Sequence, residues 1–428
     1  MNRKLFDYIA ASPTAYHAVE HTAKILSDRG YSELREGEKW SLEAGKGYYV
    51  TRNCSSLIAF KVPSKDFCGF MMTASHSDSP TFKVKENPEL SDGKYLRLSV
   101  EKYGGMLCST WMDRPLSVAG RVTVRTENGF ETKLVDLGEF SAIIPNVAIH
   151  MNRNANDGMS YNPAVDMLPL FGEAGESGRF MDLIAEKAGS DKADIITTDL
   201  FLYNLDAGKE WGSFITAPRL DDLQCAFASL QAFAASNESE SATVYCLFDN
   251  EEVGSGTKQG AASTFLYDVL YRINSVLGGD GEDLMRRISN SFLVSCDNAH
   301  AVHPNHPEFS DKNHTVTMNG GIVIKYNANQ KYTTDAVSSA LFRLVCEEAG
   351  VPVQSYANRA DMPGGSTLGN IANTQVSLNT VDIGLAQLAM HSALETAGAK
   401  DTEYMVKALT SFYNKSIIAE KDGSYRFK

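Results

Sequence analysis

Short apolar runs that break off into histidine or carboxylate side chains dictate most of what this chain can become. Phe67–Ala74 is followed at once by Ser75-His76-Ser77-Asp78-Ser79-Pro80. Thr243–Phe248 stops at Asp249-Asn250-Glu251-Glu252, and Phe292–Cys296 stops at Asp297. A further run, Val376–Leu378, leads through Asp382-Ile383-Gly384 to His391. Apolar runs this short read as buried strands. Between and after them, Leu220–Ala235, Asp335–Glu348 and Glu403–Ile417 show helical spacing. Strands alternating with helices predict a mixed or parallel sheet covered by helices. Open sheets of that kind place their sites at the carboxyl ends of the strands.

The N-terminal part fits the same layout. Ser12-Pro13-Thr14 is a helix start signal, and Val19, Ile25 and Leu26 follow at helical spacing up to Gly30. From residue 86 to 215 the pattern changes. Leu96, Leu98 and Val100 alternate with polar residues, as do Val122 and Val124 ahead of Asn128-Gly129. Asn-Gly between alternating segments is a hairpin signal, so this stretch reads as an antiparallel, β-rich unit. Asn152–Asn162 and Gly172–Gly178 read as loops. A chain of 428 residues exceeds one ordinary domain. The expected architecture is therefore an α/β domain made of residues 1–85 and 216–428, interrupted by a β-rich insertion at 86–215.

The residues at the strand ends suit metal chemistry. His76 and Asp78, Asp221-Asp222 at a helix start, Glu251-Glu252, Asp297 with His300 and His303, and His391 supply nitrogen and oxygen donors. Imidazole with carboxylate suits zinc and tolerates cobalt or manganese. Two such ions about 3.5–4 Å apart need a carboxylate between them. Of two adjacent glutamates, one can bind metal while the other takes a proton from water. Taken singly, each residue has an ordinary reading: a hydrogen-bonded surface pair, an acidic helix start, a turn aspartate, a helix-surface histidine. Their recurrence at successive strand ends is what points to a site. Gly364-Gly365-Ser366-Thr367 lacks the lysine spacing of a phosphate loop and reads as a tight turn.

Composition removes several function classes. A net charge of −13 with no block of Lys or Arg excludes a nucleic-acid partner. Hydrophobic residues at 43% and charged residues at 22% describe a globular chain. Seven scattered cysteines, an odd number without a CxxC pair, read as free thiols in a reducing compartment. No window approaches the roughly 18 apolar residues of a membrane span, and Met1–Tyr8 carries no signal-peptide stretch, so the expected location is the cytoplasm without membrane attachment.

Longer motifs carry a resemblance. They are Ala11-Ser12-Pro13-Thr14-Ala15-Tyr16-His17-Ala18-Val19, Ser75–Pro80, Tyr103-Gly104-Gly105 with Ser109-Thr110-Trp111, Pro218-Arg219-Leu220-Asp221, Asp249–Gly256, Ser295–Asn305 and Leu388-Ala389-Met390-His391-Ser392. In order and spacing, almost end to end, the chain resembles the M18 aminopeptidases, the family of aspartyl aminopeptidase, within the clan of co-catalytic dizinc exopeptidases. The resemblance implies two zinc ions per subunit. His76 and Asp297 would hold one, Glu252 and His391 the other, with Asp221 bridging and the Asp221–Asp222 peptide cis. Glu251 would be the general base, and Asp78 would orient His76. His150 would reach a neighbouring subunit's site, and Lys325 and Tyr332 would line the substrate pocket. A homo-oligomer is implied, a dodecamer built from dimers, acting on peptides with a preference for acidic N-terminal residues. Asp222, Leu385-Ala386 and Met362-Pro363-Gly364-Gly365 depart from the family pattern without touching a ligand or the base. The alternatives are a dizinc aminopeptidase of neutral specificity, a deacylase of small amides, and a non-catalytic binding protein on the same fold.

Overall fold

The structure, a computed structural model, describes residues 1–64, 66–237 and 239–428. They gather into two compact units: Met1–Asp78 with Lys209–Met390 and Thr396–Lys428, and Ser79–Gly208 with His391–Glu395.

The first unit is built on a nine-stranded mixed sheet. From edge to edge its strands are Ser32–Leu34, Gly47–Arg52, Ser56–Lys61, Ala242–Phe248, Phe70–His76, Phe292–Cys296, Asn379–Gly384, Ile322–Tyr326 and Val353–Ala357. The four from Ala242–Phe248 to Asn379–Gly384 run parallel to one another. Alternation still operates in these apolar runs, because both faces are buried. Tyr245 and Leu247 pack into one cluster with the helices Asn2–Ala10, Ala15–Asp28, Leu220–Ala235, Ala336–Glu348 and Asp401–Tyr413. Val244, Cys246 and Phe248 point the other way, into a cluster with the helices Phe265–Val276, Gly281–Ser289 and Leu368–Ala372. The Leu220–Ala235 helix is apolar nearly all round, and it is buried from Leu220 through Leu230. Asp335 is the N-cap of Ala336–Glu348: its carboxylate accepts the Ser338 N–H at 2.8 Å while the Ser338 hydroxyl accepts the Asp335 N–H at 3.0 Å.

Four elements differ from the sequence reading: the strand placed at Phe67–Ala74 runs from Phe70 to His76, and three others depart further. The strand placed at Val376–Leu378 lies at Asn379–Gly384. Its apolar residues Val381 and Ile383 alternate with Thr380 and Asp382, polar but fully buried, which breaks the apolar run that marks the other strands. The last helix ends at Tyr413, before Asn414-Lys415, and Ile417 opens a strand, Ile417–Lys421. Residues 172–178, read as loop, contain the end of the strand Leu170–Glu173 and a 3₁₀ turn.

The second unit is a six-stranded antiparallel sheet ordered Gly129–Asp136, Leu116–Thr126, Ile195–Asn204, Thr81–Ser91, Tyr95–Tyr103 and Leu170–Glu173. Leu96, Leu98, Val100, Val122 and Val124 form its core with Phe180 and Ile184 of the helix Arg179–Ala188. The hairpin at Asn128-Gly129 closes one residue earlier than a type I′ turn on that pair would, because Thr126 pairs with Gly129. Asp199 ties three strands together, accepting from Lys83 Nζ at 2.8 Å and Arg121 Nε at 2.9 Å. Burial of Asp199 favours its neutral form, but the two cations prevail and its carboxyl titrates below the ordinary value. A depressed acid stabilises the fold above its unfolded pKa, and that contribution disappears as pH falls through the folded value. Asp199→Asn is expected to cost about 1 kcal/mol near neutral pH. In thermal unfolding the gap from the parent should close below about pH 4.

All seven cysteines are free, and Cys225, Cys246, Cys296 and Cys346 are buried. Among the described residues no helix is long and apolar enough to cross a membrane.

Candidate metal centre

Parallel pairing aligns the strand ends. Phe248 sits opposite His76, Ala74 opposite Ser295, and Cys296 opposite Ile383. His76 therefore closes its strand at the same edge where Asp249–Glu252 and Asp297 leave theirs. Gly384 permits this closeness: a Cβ on it would lie 2.1 Å from the Asp297 carbonyl oxygen. Gly384→Ala is expected to destabilise the fold by about 1–3 kcal/mol through overpacking and to displace Asp297. Urea unfolding and zinc content after dialysis would read the two effects separately.

Asp221 enters from the Leu220–Ala235 helix. Its φ/ψ of −82°/107° is non-helical, Arg219 before it is left-handed at φ 55°, and the Asp221–Asp222 peptide is cis. Asp222 turns inward and its Oδ2 accepts the backbone N–H of His76 at 3.1 Å. Glu251 and Glu252 occupy a 3₁₀ turn, Glu251–Val253, entered through left-handed Asn250 at φ 63°.

His76 and Asp221 are 1% and 3% exposed. The imidazole Nδ1 lies 3.0 Å from the Asp78 carbonyl oxygen, which can only accept, so Nδ1 carries the hydrogen. Nε2 then faces Asp221 Oδ1 at 3.4 Å, with room for a proton or a metal cation between them. Candidate ligand atoms of His76, Asp221 and Glu252 all lie within 4.8 Å of one another, and so do those of Asp221, Asp222 and Asp297. Asp221 belongs to both groups. One imidazole among carboxylates is a donor set that fits zinc.

The charge balance points the same way. Burial raises the carboxyls of Glu252 and Asp222 well above their ordinary values, with Asp221 adding to it at both. Burial, with Asp297, Asp78 and Asp221, pushes Glu251 up to about 8. Asp297 rises to about 6, chiefly by burial and against the pull of Lys325. Burial opposes protonation of His76, but the bonds to Asp221 and Asp78 outweigh it and raise its pKa. This much buried carboxylate calls for cations.

Lys325 ends up beside this cluster. It is 3% exposed, its ammonium donates to the Asn298 carbonyl at 2.8 Å, and it sits 3.7 Å from Asp297 Oδ2. The same nitrogen lies 5.4 Å from the centroid of the Tyr332 ring. His391 and His150 belong to the second unit. His391 has φ 66°, and its N–H donates to Glu395 Oε1 at 2.8 Å. His150 is exposed, next to Ile149 and Met151 at 49% and 85% exposure.

Two polar networks were not legible in the sequence. Asn298 Nδ2 donates to Gln387 Oε1 at 2.7 Å and approaches the Leu220 carbonyl and Gln224 Oε1 at 3.1 and 3.2 Å. Asp382 accepts from the Thr367 hydroxyl at 2.7 Å and the Thr333 N–H at 2.5 Å, tying down two loops, one of them carrying Tyr332. The one available signal was an aspartate amid the apolar residues of Val381–Ile383.

A helix-covered mixed sheet with imidazole and carboxylates converging at its parallel strand ends defines a metal-dependent hydrolase. The family described as "Aminopeptidase I zinc metalloprotease (M18)" matches residues 8–413, and the chain belongs to it. It is thus a hydrolase of the zinc metallo-aminopeptidases. It is similar to the probable M18 family aminopeptidase 2 of Clostridium novyi (strain NT), 46% identical over 423 residues, covering 96% of this chain and 98% of the relative. Among solved structures it is similar to one in the cryo-EM structure of the Ape4 and Nbr1 complex, with TM-score 0.94, 37% identity, and 96% and 85% of the two chains covered. It is also similar to the S. cerevisiae mApe1 dodecamer, with TM-score 0.85, 29% identity and 96% of each chain covered.

Proposed function

We propose that the protein removes N-terminal residues from peptides with two zinc ions held by His76, Asp221, Glu252, Asp297 and His391, and Glu251 as general base. The observation that carries the reading is the shared position of Asp221, common to both groups of candidate ligands. A carboxylate there can lie between two cations and offset their repulsion. Bound zinc would supply Lewis acidity, polarising the scissile carbonyl and making water more acidic.

The chain's own residues do the rest. Glu251 is placed for general-base work by its position in the same turn as Glu252, beside the candidate ligands. Glu251 takes a proton from the attacking water at a carboxylate oxygen and returns it to the departing amine. Glu252, one residue on, belongs to the ligand group of His76 and Asp221. Lys325, buried beside Asp297 with Tyr332 against it, would favour an acidic N-terminal side chain once Asp297 is engaged by metal.

Assembly belongs to the same reading. The chain forms a homo-oligomer, a dodecamer built from dimers, in which His150 enters a neighbour's site. Val147, Ile149 and Met151, all about half exposed or more, give the His150 segment the apolar surface such a contact needs. Seven free thiols accord with a cytoplasmic location.

The test is the hydrolysis rate on a panel of aminoacyl chromogenic substrates and N-acyl amino acids with zinc, cobalt or manganese. Faster cleavage of Asp and Glu substrates is the expected result. Cleavage of neutral residues alone would remove the acidic preference and keep the aminopeptidase. Cleavage of acyl amides alone would make the enzyme a deacylase.

A further inference from the structure

The geometry points to Asp78 as a positioning residue for Glu251: its side chain holds the turn that carries the base, while its main chain orients His76. This inference rests on the reading of Glu251 as general base.

His76 Nδ1 is 3.0 Å from the carbonyl oxygen of Asp78 and 3.4 Å from its Oδ1. The shorter contact is to the main chain, which every substitution at position 78 retains. The carboxylate makes two other bonds. Oδ1 accepts the N–H of Glu251 and Oδ2 the N–H of Glu252, each at 3.2 Å. Those amides open the Glu251–Val253 turn. Within the turn only Val253 and Gly254 find carbonyl partners, at Asn250 and Glu251. The first amides of any helical turn need acceptors from outside it. Here a buried carboxylate, 4% exposed, provides them as charge-assisted bonds. The Glu251 backbone is thereby fixed to the residue two beyond His76, and with it the distance between base and ligand. Small displacements of a base lower its rate steeply.

Asp78→Asn keeps the shape of the side chain but turns an amide NH₂ toward one of the two N–H donors. Asp78→Ala removes both acceptors without a clash and serves where the first variant folds poorly. In either variant kcat is expected to fall about 10- to 100-fold while KM stays within about threefold, since the loss falls on the transition state. Zinc content and resistance to a competing chelator should match the parent, because His76 keeps its carbonyl partner. Amide exchange at Glu251 and Glu252 should accelerate, with that of Phe70–His76 unchanged. In a Glu251→Gln background either substitution should lower the residual kcat no further.

Ready loss of zinc from both variants would assign the carboxylate to His76 and overturn the proposal. Unchanged exchange at Glu251 and Glu252, or full additivity with Glu251→Gln, would overturn it too. A Glu251→Gln enzyme with parental rates would instead remove the base assignment itself, and that single variant separates the two failures.

Discussion

Glu251→Gln should lower turnover by about 10³–10⁴-fold and leave zinc content and unfolding temperature close to those of the parent. Glutamine fills the same space but cannot take up a proton near neutral pH. The side chain is half-buried in a patch where burial, Asp297, Asp78 and Asp221 all resist another negative charge. Replacing it by a neutral amide therefore removes repulsion, and the apoprotein should unfold no earlier. Steady-state kinetics with metal analysis on one preparation decides the matter. A variant within tenfold of the parental rate would move the base elsewhere.

Asp221→Asn should be more damaging still, because Asp221 is common to both groups of candidate ligands. Zinc retained after gel filtration is expected to drop below one ion per chain, and activity to fall by more than about 10³-fold. Ligand linkage gives a second readout. An ion that binds the folded state at a thousand times its dissociation constant adds about 4 kcal/mol. The parent should therefore melt later with zinc than after chelation, whereas Asp221→Asn should melt at nearly one temperature in both. A variant that kept two ions and the zinc-dependent shift would dismiss Asp221 as the shared ligand.

The parts of the fold legible in the sequence are those where one physical cause acts alone. Phe292–Cys296 is buried on both faces and apolar but for Ser295, and its boundaries were readable to the residue. Leu220–Ala235 was readable for the same reason. The Asn379–Gly384 strand was not, because buried Asp382 finds partners in Thr334 and Thr367 from distant loops, while buried Thr380 donates to the Leu378 carbonyl. Tertiary hydrogen bonds let polar residues into a core position that local pattern assigns to the surface.

The site divides in a similar way. Side-chain types at strand ends made the candidate ligands visible, since donor chemistry is a property of residues one at a time. Partnerships were hidden. The contact of Lys325 with Asp297, and the split duty of Asp78 between carbonyl and carboxylate, depend on angles no sequence displays. The link of His76 to Asp222 through a backbone N–H is of the same kind.

The strand Ala242–Phe248 lies between Ser56–Lys61 and Phe70–His76, which are neighbours in sequence. Those two early strands do not pair with each other in the finished sheet, and residues Ser79–Gly208 of the second unit are synthesised before their common partner emerges. Pairings of such long sequence separation form late and slowly. The candidate carboxylates Asp221, Glu252 and Asp297 arrive with the same late segments. While the chain is still leaving the ribosome, then, its first strands stand without the partner strand and without these carboxylates.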